Sequence, residues 1–441
     1  MNERLQKKSL TLKGAIALGT AVMIGAGIFA LLGQVAELSG AWFPYIFLIG
    51  GVISAFSAYS YVKVSKAYPS SGGIAMILMK SYGKTTPTAA AAVLMVLTMV
   101  INESLIARTF GAYTSRLFDL DMNSIWGPVF GIGLLLLVYR INASGNKVIE
   151  KSSQVMVIVK IAGILLFALG ALWAANCCIG HELSATADLR DYSATSYIGA
   201  IALSMLAYKG FTTITNSGSE ITHPRENIGR AILISLLICT VVYFFVAIAV
   251  NTSLSIPAIV AAKDYSLAET AQSAFGTFGL YFTVALAIIA MISGLVASLF
   301  AMSRMTAMLT KMNLIPYSNL GITGSVQKHM LIYVVTIAIG LTVFFDLTRI
   351  ASIGAIFYLV MDMVVHWGVF KNLRKELKAS GVILLTALLL DAIVLAAFVW
   401  LKINSDLFVV IVSASGIALV FAVEKGYLLW QGCHNGADRA S

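Results

Sequence analysis

The sequence predicts an all-α integral membrane protein of about twelve transmembrane helices, arranged as two inverted five-helix repeats with two more helices behind them. Composition, apolar run length and the alternation of basic loops point to it. Of 441 residues, 59% are apolar and only 11% charged, and the mean hydropathy is +0.89. A soluble core does not call for so much apolar surface. Crossing a hydrocarbon layer of ~30 Å at ~1.5 Å per residue takes about 20 mostly apolar residues. Such runs fall at 14–35, 43–62, 88–116, 123–139, 152–175, 196–217, 230–250, 276–303, 329–346, 350–370, 381–401 and 405–424. Little lies outside them, so one transmembrane domain over 1–441 is expected, with no soluble catalytic module.

The net charge of +10 does not point to nucleic acid, because the basic residues are not gathered on one surface. Twenty-two of the 30 lysines and arginines fall in alternate segments that include both termini, five in the intervening loops, and Arg108, Lys160 and Lys209 at membrane depth. The positive-inside rule then places both termini in the cytoplasm, and the cytoplasmic (inner) membrane is the expected location. The first apolar run outlasts a signal-peptide core and lacks a cleavage site, so it reads as a span.

Runs 1 to 5 (14–175) form the first repeat, runs 6 to 10 (196–370) the second, and 381–424 the last two helices. Five spans reverse the orientation of whatever follows, hence the inversion. Inverted repeats of transporters place broken helices at matching points around a midplane site. Run 1 carries Gly25 and Gly27 in "GTAVMIGAGIFALLG", and run 6 carries Gly210 in "AYKGFTT". Gly25 lies ~17 Å into its run and Gly210 ~21 Å into the other, both near the bilayer centre. Unwound backbone at that depth is tolerated only where it is buried in protein or lines a cavity. Half-helix N-termini suit an anionic group and freed carbonyls a cationic one, so the pair of breaks suits a zwitterion. The alternative for the glycines is close helix packing.

These residues resemble the amino acid-polyamine-organocation transporters. "GAGIF" (25–29) is similar to the family's first-helix signature, "LAYKGFTTITNSGSEITHPRENIGRAI" to its sixth helix and following loop, and "SRMTAMLTKMNLIP" to the end of its eighth. The order and spacing match over roughly residues 10–375. The resemblance implies the leucine-transporter fold and alternating access around a central site. It places the substrate carboxylate on the backbone of Gly25, Ala26 and Gly27, and its amino group on carbonyls near Val22, Met23, Leu206 and Lys209. Leu206 stands where an aromatic lid is usual, with Tyr208 the nearest aromatic, and Thr212 stands where many relatives carry a carboxylate, which weakens the case for a dibasic substrate. His223 and Gly229 replace the usual Asn and Pro of the inner loop. The Lys209 side chain is expected to leave the site.

A charge at a helix centre costs ~2.5–3.5 kcal/mol and so marks a pathway or a paired site. Lys160 lies ~12 Å inside run 5. Proton-coupled members of the family are similar in carrying a lysine there in place of a sodium ion, which implies H+ as the coupling ion; the alternative is a snorkelling anchor. Some cationic amino acid transporters of the family are similar in carrying a helix-three glutamate that communicates with that lysine, which implies Glu103 in run 3 as its partner; the alternative is a structural ion pair, for which Arg108, five residues on and about 140° around the helix, is poorly placed. Asp362, His366 and Asp391 are assigned to packing or interface contacts.

No dinucleotide or Walker loop, acid pair or histidine cluster supports an enzyme. Cys177, Cys178 and His181 in "NCCIGHEL" fall short of a tetrahedral metal site, so neither metal nor cofactor is expected. The expected function is secondary active, proton-coupled transport of an amino acid or related small amine across the cytoplasmic membrane by alternating access, with lipid and a small-molecule substrate as the partners and no obligate protein partner. The alternatives are an exchanger, a non-transporting sensor and an inorganic-cation carrier on the same fold.

Overall fold

A computed structural model describes residues 10–70, 72–83, 85–121, 124–143, 146–177, 192–312, 314 and 326–437. The cysteine–histidine loop from Cys178 to His181 lies outside them. In chain order the helices are α1 (Leu12–Val22), α2 (Ile28–Ser39), α3 (Phe43–Ala67), α4 (Gly73–Tyr82), α5 (Thr86–Leu117), α6 (Trp126–Ala143), α7 (Asn146–Cys177) and α8 (Ala194–Tyr208). They continue as α9 (Thr212–Asn216), α10 (Pro224–Ser253), α11 (Ile256–Ala261), α12 (Ser266–Lys311), α13 (Val326–Phe344), α14 (Leu347–Gly368), α15 (Gly381–Ser405) and α16 (Leu407–Ala437). Among the described residues no strand occurs, and the one extended pairing is an isolated bridge between Leu10 and Ile221.

Among the described residues the chain is all-helical, and each apolar run read from the sequence lies on helix over most of its length. Among the described residues ten helices are long and apolar enough to span a membrane, counting Ile28–Ala67 as one, with Leu12–Gly25, Gly73–Tyr82 and Ile158–Ala174 as shorter apolar helices. Helix ends follow local chemistry. Thr11, Ser193 and Asp346 accept the first free N–H groups of α1, α8 and α14, and Pro44, Pro87 and Pro224 sit at first-turn positions where no N–H is needed. Gly276, at φ +63 and ψ −152, breaks α12 in two, at the residue where the eighth apolar run begins. Two short helices, α4 and α11, were not legible as spans, since 10 and 6 residues cannot cross a bilayer.

At the centre, α1 runs into α2 through a π turn, Met23–Gly27, and α8 into α9 through a 3-10 turn, Lys209–Phe211. Neither place is unwound. Met23 (φ −60, ψ −54) and Lys209 (φ −55, ψ −21) keep right-handed helical angles, so the pitch changes while the backbone stays coiled. The irregular turns replace the unwound segments expected from sequence. Helices α5, α10 and α12 pack around them.

Candidate functional site

Glycine brings the two turns within backbone distance. A Cβ on Gly210 would stand 2.7 Å from the Met23 nitrogen, and one on Gly27 would stand 2.8 Å from the Ala207 carbonyl oxygen. Gly25 faces elsewhere: its Cβ would lie 3.0 Å from the Cα of Gly294 and 3.1 Å from the Ala290 oxygen, so this glycine serves close packing against α12. Tyr243 of α10 clasps both turns. Its buried hydroxyl donates to the Met23 carbonyl at 2.6 Å and lies 3.3 Å from the Ala207 carbonyl.

Between the turns is a small cavity of about 20 Å³, bounded by Val22 and Gly27, by Leu206, Lys209 and Thr212, and by Asn102 of α5 and Ser298 of α12. That is room for a water rather than for an amino acid. The chain is drawn together on both sides of it. On the face of the N-terminus, the Leu10 N–H donates to Glu220 O at 3.1 Å and the Thr222 N–H to Leu10 O at 2.9 Å. On the opposite face, Gln34 of α2 donates to Asp264 at 2.8 Å and accepts from Thr348 at 2.8 Å. Lys263 pairs with Glu37 at 2.9 Å and Arg349 with Asp406 at 2.8 Å. Burial raises the Asp264 carboxyl above its usual value, with Lys263 pulling the other way.

Lys160 of α7 is 1% exposed. Its ammonium donates to the Ala21 carbonyl at 3.0 Å and to the Ala290 carbonyl at 3.1 Å, tying the start of the π turn to α12. Glu103 is fully buried, accepts a hydrogen bond from Ser298, and keeps Oε2 without a hydrogen bond.

The sequence profile of the amino acid permease family matches residues 10–429. The chain belongs to the amino acid permease family. The inner membrane transport protein YbaT of Escherichia coli is 27% identical over 395 residues, covering 89% of this chain and 90% of that protein. The serine/threonine exchanger SteT of Bacillus subtilis is 26% identical over 282 residues, 62% of this chain and 61% of that protein. In fold, this chain is similar to MhsT in complex with L-phenylalanine, with a TM-score of 0.63 at 14% identity over 90% of this chain and all of that one. A manganese transporter of Eremococcus coleocola gives 0.62 at 12% identity over 96% of this chain and 94% of that one. The permease therefore has the leucine-transporter fold, is a multi-pass membrane transporter of a small molecule, and is not an enzyme.

Of the residues assigned to substrate, the permease places Val22, Gly27, Leu206, Lys209 and Thr212 on the cavity. Met23 packs under Gly210 and Gly25 on Gly294, both behind the wall; the Ala26 side chain is not among those described. Tyr208 turns away, its hydroxyl donating to Phe47 O at 2.9 Å and its ring 5.1 Å from that of Tyr243. The carbonyls named for the substrate amine are partly engaged. Met23 O takes Tyr243, Leu206 O takes the Lys209 N–H, and Lys209 O takes the Thr212 hydroxyl at 3.0 Å. Each keeps a second lone pair.

Two expectations are corrected. The Lys209 side chain stays inside, 4% exposed, its ammonium 5.9 Å from the Tyr358 ring centre and without a hydrogen-bond partner. Glu103 accepts from Ser298 and lies in the field of Lys209, while the Lys160 ammonium is taken up by the Ala21 and Ala290 carbonyls.

Sequence reasoning missed Asn102, which sits beside Glu103 and Ser104, and Tyr243 and Ser298, each a lone polar residue among apolar neighbours. It also set aside a buried group. Asp362 and His366, one turn apart on α14, meet Asp391 of α15, and their ligand-type atoms lie within 4.8 Å of one another. The i, i+4 spacing was the available signal. Asp362 already accepts from Ser57 and Tyr61, and His366 Nδ1 lies 2.7 Å from Ser60 Oγ, which leaves too few free donors for a metal.

Proposed function

We propose that this permease moves a zwitterionic amino acid or small primary amine across the cytoplasmic membrane by alternating access, coupled to protons through Lys160. The observation that carries the reading is the Lys160 bridge from Ala21 to Ala290. It joins the first helix to α12 beside the cavity, so a change in its charge acts on the contact that access must break. Population shift requires that kind of differential interaction. Ties on both faces and a cavity too small for substrate support a cycle in which one face opens at a time. Positive-inside charge supports cytoplasmic termini, and the Escherichia coli relative named as an inner membrane protein supports that membrane. The Lys209 ammonium on the cavity wall and Thr212 in place of a carboxylate disfavour cationic substrates, since like charge at close range is repelled.

Uptake into proteoliposomes of a labelled amino acid panel, under proton, sodium and potassium gradients in turn, tests this. Accumulation should follow the proton gradient alone and be lost in Lys160→Ala, with substrate binding retained. Sodium dependence, or a Lys160→Ala protein that still accumulates substrate, refutes the coupling. Exchange is the reading that the serine/threonine exchanger relative favours; uptake that needs internal substrate and ignores every ion gradient would establish it.

A further inference from the structure

We propose that Asp391, with His366 and Asp362, forms an intramembrane proton site whose occupancy is tied to the position of the Lys209–Phe211 turn. All three side chains are fully buried between α14 and α15. His366 Nε2 lies 3.4 Å from an Asp362 oxygen and 3.3 Å from an Asp391 oxygen, and Nδ1 lies 2.7 Å from Ser60 Oγ. The two carboxyls are not equivalent. Asp362 has a hydroxyl donor on each oxygen, Ser57 on one and Tyr61 on the other. Asp391 has no hydrogen bond on either oxygen and meets only the imidazole edge. A mobile proton therefore has room on Asp391.

Charge counting gives the proton a role. With the imidazole doubly protonated and both carboxyls ionised, the cluster carries one net negative charge in a region where an uncompensated ion is costly. A proton on Asp391 removes it. The groups whose charge acts on Asp391 are Asp362 and His366 of α14, and Asp391 acts in turn on Tyr358 of α14 and Tyr61 of α3; α16, packed on α15, carries the buried carboxyl of Glu424. Lys209 supplies compensation: its buried ammonium has no hydrogen-bond partner and feels both Glu103 and Asp362.

The turn that carries Lys209 also touches the cluster by packing. Phe211 meets Tyr61 edge to face at 5.3 Å, and Tyr61 holds Asp362. When the 3-10 turn moves to admit substrate, the ammonium and the Phe211 contact both shift relative to Asp362. The cluster then loses its compensating cation and takes up a proton; when the turn returns, the proton leaves. No bond other than O–H at Asp391 is made or broken. As a route for the coupling ion this rests on the proton-coupled reading above, but the proton site itself does not depend on it.

The test is infrared difference spectroscopy of the permease in proteoliposomes, stepping pH in H2O and D2O, with uptake measured on the same samples. The wild type should show a buried carboxylic C=O band that appears as pH falls and shifts on deuteration. Asp391→Asn should lose it, and Asp391→Glu should move it, which covers poor folding of the amide. One coupled proton and one pH unit of gradient give about tenfold accumulation, which Asp391→Asn should reduce to about onefold while counterflow exchange persists. In Lys160→Ala the band should persist even if accumulation is lost. Absence of a titrating band in the wild type, its survival in Asp391→Asn, or stoichiometric Zn2+ binding that Asp391→Asn abolishes would overturn the site. A titrating, Asp391-dependent band in a protein whose uptake ignores the pH gradient upholds the site and refutes the proton-coupled reading instead.

Discussion

Replacing Tyr243 with phenylalanine removes one oxygen and little else. Its ring contacts with Phe47 at 5.7 Å and Tyr208 at 5.1 Å remain possible in Tyr243→Phe. What is lost is the donor shared between Met23 O at 2.6 Å and Ala207 O at 3.3 Å, one carbonyl from each side of the crossing. Buried carbonyls deprived of a donor cost about 1–3 kcal/mol. If the clasp exists only while the turns are together, the whole of that falls on the closed state, and the equilibrium between closed and open shifts by a factor of about 5 to 150. The assay is twofold: melting temperature of the purified permease in detergent, and the rate at which a membrane-impermeant thiol reagent modifies a cysteine placed at Leu105 on the cavity wall. Tyr243→Phe should melt lower and label faster. An unchanged melting point together with an unchanged labelling rate would refute the clasp.

Gly25→Ala should cost about 1–3 kcal/mol through overpacking, since its methyl would stand 3.0 Å from the Gly294 Cα and 3.1 Å from the Ala290 oxygen, both backbone atoms that cannot rotate aside; thermal unfolding and uptake check it, and wild-type values for both would contradict the contact. Lys209→Gln should widen the substrate range toward cationic amino acids, read as competition of arginine against the preferred substrate; no gain in arginine inhibition would remove the ammonium from the selectivity account. Gln34→Ala breaks the links to both Asp264 and Thr348, at about 1.5–3 kcal/mol for the bond to the carboxylate, and should raise the labelling rate of the Leu105 cysteine from that face alone.

Architecture was legible because hydrocarbon thickness sets a length that the sequence either meets or does not. The site was legible only in part. Gly210 and Gly27 announce a close approach, but nothing in "GAGIF" tells which glycine faces the cavity and which faces α12. That depends on the pitch of the turn, and an inserted π residue rotates every later side chain. Lys209 illustrates a second limit. A lysine in an apolar run reads as a side chain seeking solvent, while the fold encloses it among α5 and α14 and supplies Glu103 and Asp362 nearby. The Asp362–His366 spacing was visible in the sequence, but its partner Asp391 comes from a different helix, and a pairing between helices 25 residues apart leaves no local signature.

The two ties that shut the cavity obey different chemistry. On the face of the N-terminus the latch is peptide to peptide, between Leu10 and the chain at Glu220 and Thr222. It carries no formal charge, and its one side-chain contribution is the Thr222 hydroxyl, 3.3 Å from Leu10 O, so Thr222→Pro removes that bond and one of the two peptide hydrogen bonds of the latch while the Leu10 N–H keeps Glu220 O. On the opposite face the latch is ionic and partly wet, with Lys263 and Glu37 each about a third exposed. Added salt screens exposed pairs over a Debye length of about 8 Å at physiological strength and less above it. Ionic strength on that one side of the membrane thus loosens one latch and leaves the other untouched, which gives an experimenter a handle on direction without altering a single residue.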